Sequence, residues 1–220
     1  MRGEIRLGVG PMMAVSVMGS FFSQFFDSTA PYSLLVKAGY TAKLIADLQE
    51  DEVDAVVLPT KLNLHQSNLS QRPLFEDELG VYASKSNPLA SHNGELTSEQ
   101  LEAAQWIDTA PVSGLFSNEA ELLAHLGLTV TPPKLKFSGD LNMAIQVVAQ
   151  TSALCILPRK LVRHSKTINP SIQELRVKQR LPSRNIALWT RQMDADKPQL
   201  ADFHARLLRY LEQQGLGGHT

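Results

Sequence analysis

The chain has 220 residues, with 21 Lys and Arg against 22 Asp and Glu, so its net charge of −1 leaves no overall electrostatic footprint for nucleic acid. A single cysteine excludes an internal disulfide framework, and apolar and charged fractions of 43% and 20% are those of an ordinary soluble globular protein of one large or two small domains. No apolar run reaches the length of a membrane span, and Met1-Arg2-Gly3-Glu4 lacks the apolar core of a signal peptide, as a chain cut at a domain boundary would.

Glu4 to Val9 alternates polar and apolar residues, which predicts a strand with Ile5, Leu7 and Val9 on one face. Gly10 and Pro11 then open a helix, with Gly at the N-cap and Pro at the first helical position. That helix is expected to run to about Asp27. Ser16, Ser20, Ser23 and Asp27 form a polar stripe, while Val17, Met18, Phe21, Phe22, Phe25 and Phe26 spread over about half the circumference. An arc that wide predicts two buried surfaces. A second strand follows at Tyr32 to Lys37, then a helix opened by Thr41 with Leu44, Ile45 and Leu48 inward, then a strand from Val53 to Leu58 stopped by Pro59. Strand, helix, strand, helix, strand implies a parallel sheet with crossovers.

The polar stretch Lys61 to Gln71 predicts a surface loop, and Leu79 to Ser84 a strand that crosses into a second lobe. Thr97-Ser98-Glu99-Gln100 has capping-box spacing, and Gln105 to Thr109 is the next strand. Ser117 is expected to cap a helix with Glu119 and Glu121 in its first turn and Gly127 past its end. Leu135 to Phe137 predicts a strand, Asp140 to Gln150 a helix, and Ala153 to Leu157 a buried strand ending at Pro158. Ile172 to Lys178 is expected to return the chain to the first lobe, ahead of a strand at Asn185 to Trp189 and a last helix from Pro198.

Enzymatic signatures are weak or missing. Gly8-x-Gly10-x-x-Met13 is a dinucleotide fingerprint without its third glycine. Histidines 65, 92, 125, 164, 204 and 219 are scattered without ligand spacing, and there is no Walker sequence or nucleophile elbow. Cys155 lies inside an apolar strand, where a buried inert thiol is expected. The basic group Arg159, Lys160, Arg163, His164 and Lys166 has no interleaved aromatics and is read as a solvated face. No metal, cofactor or catalytic residue is assigned.

The ordered series GEIRLGVGPMMAVSVMGSFFSQFF, KAGYTAKLIADLQEDEVDAVV, Ser86-Asn87-Pro88-Leu89-Ala90, Trp106-Ile107 and Leu157-Pro158 resembles the regulatory, effector-binding domain of LysR-type transcriptional regulators over about Gly3 to Gln214. Leu48, Val53 and Asp54 match that family's pattern. Asp51 stands where it usually has a glycine, Asn87 where it has a histidine, and Thr151 and Ala153 replace a pair of glycines. The resemblance implies an α/β chain of two Rossmann-like lobes of the type II periplasmic-binding-protein fold with an interdomain cleft: lobe I at 3–77 plus 179–214, lobe II at 78–178. It implies a cytoplasmic, non-enzymatic sensor that controls DNA binding through an N-terminal part outside this sequence. Two alternatives on the same fold are an extracytoplasmic solute-binding protein of a transporter and a small enzyme with Thr109, Asp140 or a histidine as catalyst, although no acid/base pair stands at readable spacing.

Ligands of open α/β sheets bind beyond the carboxyl ends of strands. The expected lining is therefore Gly10, Pro11, Met12, Met13, Ala14, Tyr40, Thr41, Pro59, Thr60, Thr109, Ala110, Phe116, Ser138, Gly139 and Asp140. Met12 stands where the resemblance implies a Ser or Thr, which leaves the backbone N–H groups of Met12, Met13 and Ala14 as donors. The expected effector is aromatic or largely apolar, a weak acid in preference to a sugar or a free amino acid. The resemblance further implies a homodimer, tetrameric at full length, joined through Met18, Phe21, Phe22, Phe25 and Phe26.

Overall fold

The computed structural model describes residues 3–62, 67–109, 116, 118–137, 141–166, 168 and 170–217. They form two compact units, Met1–Glu76 with Arg184–Thr220, and Asp77–Ser183. The strands in chain order are β1 (Gly3–Val9), β2 (Tyr32–Ala38), β3 (Ala55–Pro59), β4 (Leu69–Ser84), β5 (Ile107–Asp108), β6 (Leu135–Lys136), β7 (Leu154–Pro158), β8 (Ile172–Glu174) and β9 (Ser183–Arg191).

In the first unit β1 lies between β2 and β3 and is parallel to both, as the strand–helix–strand order predicts, while β9 runs antiparallel to β3. The helix Thr41–Gln49 connects β2 to β3, and its Leu44, Ile45 and Leu48 pack on Val56, Leu58 and Trp189. Its N-cap is Tyr40, so Thr41 is the first helical residue and not the cap. Beyond that helix Asp51 adopts φ 62°, the left-handed conformation that explains a glycine at this position. Asp tolerates it better than most residues, and here the residue is held: Arg6 donates to the Asp51 carbonyl at 2.5 Å and to its carboxylate at 2.7 Å. Arg6 also bonds Asp54 at 2.8 Å, and Arg191 reaches Asp51 and Asp194, tying β1, β9 and the turn together.

The first helix is α over Pro11–Met13, π over Ala14–Met18 and α again over Gly19–Phe26. This wide turn accounts for part of the broad apolar arc. In a regular α-helix Met12, Met13, Val17, Met18 and Phe21 would cover about 240° of the circumference. A π turn advances less per residue, and all five side chains are buried in this structure. Met18 (0% exposed) and Phe21 (3%) therefore belong to the chain's own core, contrary to their expected place at a partner surface. Phe21 meets Phe203 edge-on at 5.8 Å and Tyr210 at 5.5 Å, both on the final helix Pro198–Gln213. Burying a side chain of that size is worth about 2–3 kcal/mol. Phe22 and Phe25 are half-buried and Phe26 is 87% exposed.

In the second unit the later part of β4 pairs antiparallel with β7 and with β8. The pairing of β8 with Tyr82–Ser84 keeps it in this unit, so β9, and not Ile172 to Lys178, carries the chain back. β5 and β6 form a short parallel pair, and Trp106 bridges to Leu154. Leu79, Val81, Leu101, Trp106, Leu122, Leu154 and Ile156 share one core. The capping box is complete: Thr97 Oγ1 accepts from Gln100 N–H, and Gln100 Oε1 from Thr97 N–H. Asn118 caps Glu119–His125 by accepting from Glu121 N–H at 2.9 Å; Ser117, the expected cap, lies outside the described residues. Gly127 has φ 76°, the C-terminal conformation its position predicts. Asn87 fills the place of the family histidine by accepting from Leu89 N–H and donating to Ser152 O, both at 2.8 Å.

Candidate functional site

The expected site residues of the first unit gather at the carboxyl ends of three adjacent strands in the order β2, β1, β3. Gly10 follows β1 and donates to Val57 O at 3.3 Å. A Cβ on Gly10 would meet Leu58 Cδ2 at 3.1 Å and Val57 O at 3.4 Å, so the loop packs closely on β3 and a larger residue would require the Leu58 side chain to give way. Tyr40 and Thr41 follow β2, and Gly39 N–H donates to Val9 O at 3.2 Å. Pro59 ends β3, its carbonyl accepting from Trp189 Nε1–H at 3.1 Å, and Thr60 N–H donates to Asn185 O at 2.8 Å. Three loop ends are thus fixed by backbone bonds, not by side-chain chance.

At the helix start Pro11 supplies no N–H, and Ala14 N–H donates to Gly10 O at 3.0 Å. The donors left are those of Met12 and Met13, two groups where the sequence counts three. The two thioether side chains are buried beside them. Tyr40 is half exposed, and the Thr41 and Thr60 side chains are partly exposed.

In the second unit Thr109 is buried, and its hydroxyl donates to Ile156 O at 3.0 Å. Its oxygen keeps acceptor capacity, but its proton is spent on β7. Thr109 N–H donates to Glu119 Oε2 at 3.3 Å, and Ile156 N–H to Glu119 Oε1. Gln105 O accepts from Leu154 N–H on the same edge of β7, so Glu119 and Thr109 continue a ladder that β5 does not complete. Burial, with the Asp108 charge adding to it, pushes the Glu119 carboxyl well above its usual range. Sequence reasoning placed Glu119 at a helix N-terminus for its charge; the tertiary fold turns it inward. Phe116 packs on the core and meets the His125 ring at 5.4 Å. Ala110, Ser138, Gly139 and Asp140 lie outside the described residues.

The two arginines of the basic group are paired with carboxylates. Arg159 bonds Glu78 at 2.8 Å and Glu174 at 2.6 Å, and Arg163 lies 3.8 Å from Glu174. Asp77 caps the helix Arg159–His164 through the N–H groups of Lys160 and Leu161, at 2.7 and 3.0 Å. Asp77 thus occupies the helix-start N–H groups that a phosphate would use. Cys155 is fully buried, and desolvation followed by the Glu119 charge raises its thiol well above the usual value, the reverse of a reactive thiolate. Among the described residues, no group of three or more His, Cys, Asp or Glu side chains could hold a metal ion.

No curated protein matches the chain. Its fold matches the QuiR effector-binding domain in complex with shikimate at TM-score 0.74 and 20% identity, over 97% of this chain and 99% of that one. A point mutant of the OxyR2 regulatory domain from Vibrio vulnificus matches at TM-score 0.74 and 18% identity, covering 96% of each chain. An H2O2-bound mutant of Corynebacterium glutamicum OxyR matches at TM-score 0.76 and 16% identity, over 99% of this chain and 70% of that one. The fold is thus the type II periplasmic-binding-like one. The family model of the LysR substrate binding domain spans residues 1–212. The chain belongs to that family, as the effector-sensing domain of a LysR-type transcriptional regulator.

Proposed function

We propose that this domain senses an aromatic or otherwise largely apolar small molecule carrying a weakly acidic group. The observation that carries the reading is the pair of N–H donors of Met12 and Met13 at a helix start lined by their own buried thioethers. Unpaired donors and the helix dipole favour negative charge, the dipole contributing about 0.3–1 kcal/mol. Thioethers are adaptable and make favourable contacts with aromatic rings. Tyr40, Thr41 and Thr60, at the neighbouring strand ends, supply orienting hydroxyls. An effector that binds two conformations of the domain unequally shifts their populations, and so the geometry the full regulator presents to DNA.

Homodimerisation in the cytoplasm completes the reading. Phe26, Leu35 (56% exposed) and Val36 (42%) leave apolar surface along the helix end and edge strand β2, with Phe22 and Phe25 beside it. The core positions of Met18 and Phe21 restrict the proposed contact to those residues. Among the described residues, no helix is long and apolar enough to cross a membrane.

A thermal-shift series decides the effector class. Benzoate, salicylate and shikimate, the last being the ligand of the QuiR domain, are compared with sugars and free amino acids. Stabilisation by benzoate or salicylate is expected; stabilisation by shikimate, sugars or amino acids but by no aromatic acid would overturn the proposal. Met12→Ser should weaken the response to aromatic acids and improve that to small carboxylates. Sedimentation of Phe26→Glu, expected to be monomeric where the parent dimerises, tests the interface separately.

A further inference from the structure

The π turn at Ala14–Met18 sits between the donors of Met12 and Met13 and the exposed phenylalanines at the far end of the same helix. A π turn is one residue of slack inside an α-helix and recurs at functional sites. It shifts backbone bonding from i→i−4 to i→i−5 and leaves carbonyls to be satisfied from elsewhere. Tyr210, buried on the final helix, donates its hydroxyl to Val17 O at 3.4 Å, a long bond into the wide turn. Its ring is clamped independently against Phe21. Within the turn Ser16 Oγ is buried without a hydrogen-bond partner, so the extra residue makes no polar contact that fixes it there.

The direction in which this slack can move follows from the buried residues. Sliding the wide turn toward Phe26 would restore α geometry ahead of Met18. That would rotate its fully buried side chain out of the core and leave a cavity behind. Sliding it one residue toward Pro11 leaves Val17, Met18 and Phe21 in place and moves the side chains of Ala14, Val15 and Ser16, which are only partly buried, together with the backbone that carries the Met12 and Met13 donors.

We propose that the π turn is a slack element latched by Tyr210, which allows the Met12 and Met13 donors to be re-aimed on a ligand while the partner-facing end stays fixed. This rests on the effector-binding reading of the Gly10–Ala14 loop. The test below needs no effector, so the two can fail separately.

Native-state hydrogen exchange is measured on three variants of the whole chain. Tyr210→Phe keeps the ring contact and removes the latch; amides of residues 14–18 should exchange about tenfold faster, with those of residues 22–26 unchanged. Deletion of Ser16 removes the slack residue and leaves a continuous α-helix with Met12, Met13, Val17, Met18 and Phe21 still on one side. It should fold, and should slow exchange over the remaining residues of 14–18. Tyr210→Phe added to that deletion should change exchange there by less than twofold, because no wide turn remains to latch. An equal effect of Tyr210→Phe with and without Ser16 would reduce Tyr210 to packing and overturn the proposal. So would no effect in the parent chain, acceleration extending to 22–26, or a Ser16 deletion that does not fold.

Discussion

Each unit carries a carboxylate hidden from water, and the two behave in opposite ways. Asp47 in the first unit is 0% exposed yet lies at its rim, roofed by the side chains of Lys37 and Lys43, each 2.5 Å away. Hydrogen bonds from Lys37 and then Lys43 hold its carboxyl below the usual range. Glu119 in the second unit is 1% exposed and set in a core, with two backbone N–H groups donating to it and, among the described residues, no cation beside it. Desolvation prevails there and its carboxyl rises. Burial alone therefore does not decide ionisation; the charge of the partners does. An acid paired with lysines ties a helix to the neighbouring strand β2, whereas one paired with amides substitutes for a missing strand.

The largest expected effect comes from breaking the second case. Glu119→Ala leaves the Thr109 and Ile156 N–H groups buried without acceptors, at about 1–3 kcal/mol each. Urea unfolding should show a loss of several kcal/mol or failure to fold. A loss under about 1 kcal/mol would mean that water replaces the carboxyl.

Glu119→Gln sharpens the comparison through pH. The folded carboxyl titrates above the unfolded one, so between the two values the native state holds a proton that the unfolded chain has released. Stability of the parent should then fall as pH rises above about 4.5, by up to about 1.4 kcal/mol per unit. Glutamine cannot titrate, so the parent's advantage over the variant at pH 5 should shrink toward pH 8. A difference independent of pH would show an ordinary, unshifted carboxyl.

Asp47→Asn should have a smaller effect of opposite pH sense. Its folded carboxyl titrates below the unfolded value, so its contribution is present above about pH 4 and disappears as pH falls through the folded value. The variant should approach the parent as pH falls through the folded value and be less stable at pH 7. Added salt should narrow that gap, because both lysines are half exposed. The smallest structural perturbation is a probe of Cys155, whose thiol shares the Glu119 environment. It should react with a thiol reagent only at the rate of unfolding, and Cys155→Ser should leave any response to effector unchanged.

The amino-acid sequence by itself determined that the first three strands run parallel, and also the Gly10–Pro11 helix start, the Thr97–Gln100 capping box and the Gly127 terminus. The strand direction follows from the helical crossovers, and the other three depend on residues a few positions apart, whose conformational preferences survive in any context. It also placed the loop ends of the candidate site, because they follow from where parallel strands stop. Tertiary structure alone decided the rest. The π turn depends on core positions that a 3.6-residue pattern cannot accommodate together, and it made Met18 and Phe21 internal where their spacing had suggested a second surface. Ala14 lost its place among the free donors to a bond with Gly10 O. Thr109 and Glu119 turned toward Ile156, 47 and 37 residues away in sequence. Such contacts have no local signature, since their energy comes from satisfying polar groups that only the folded chain brings together.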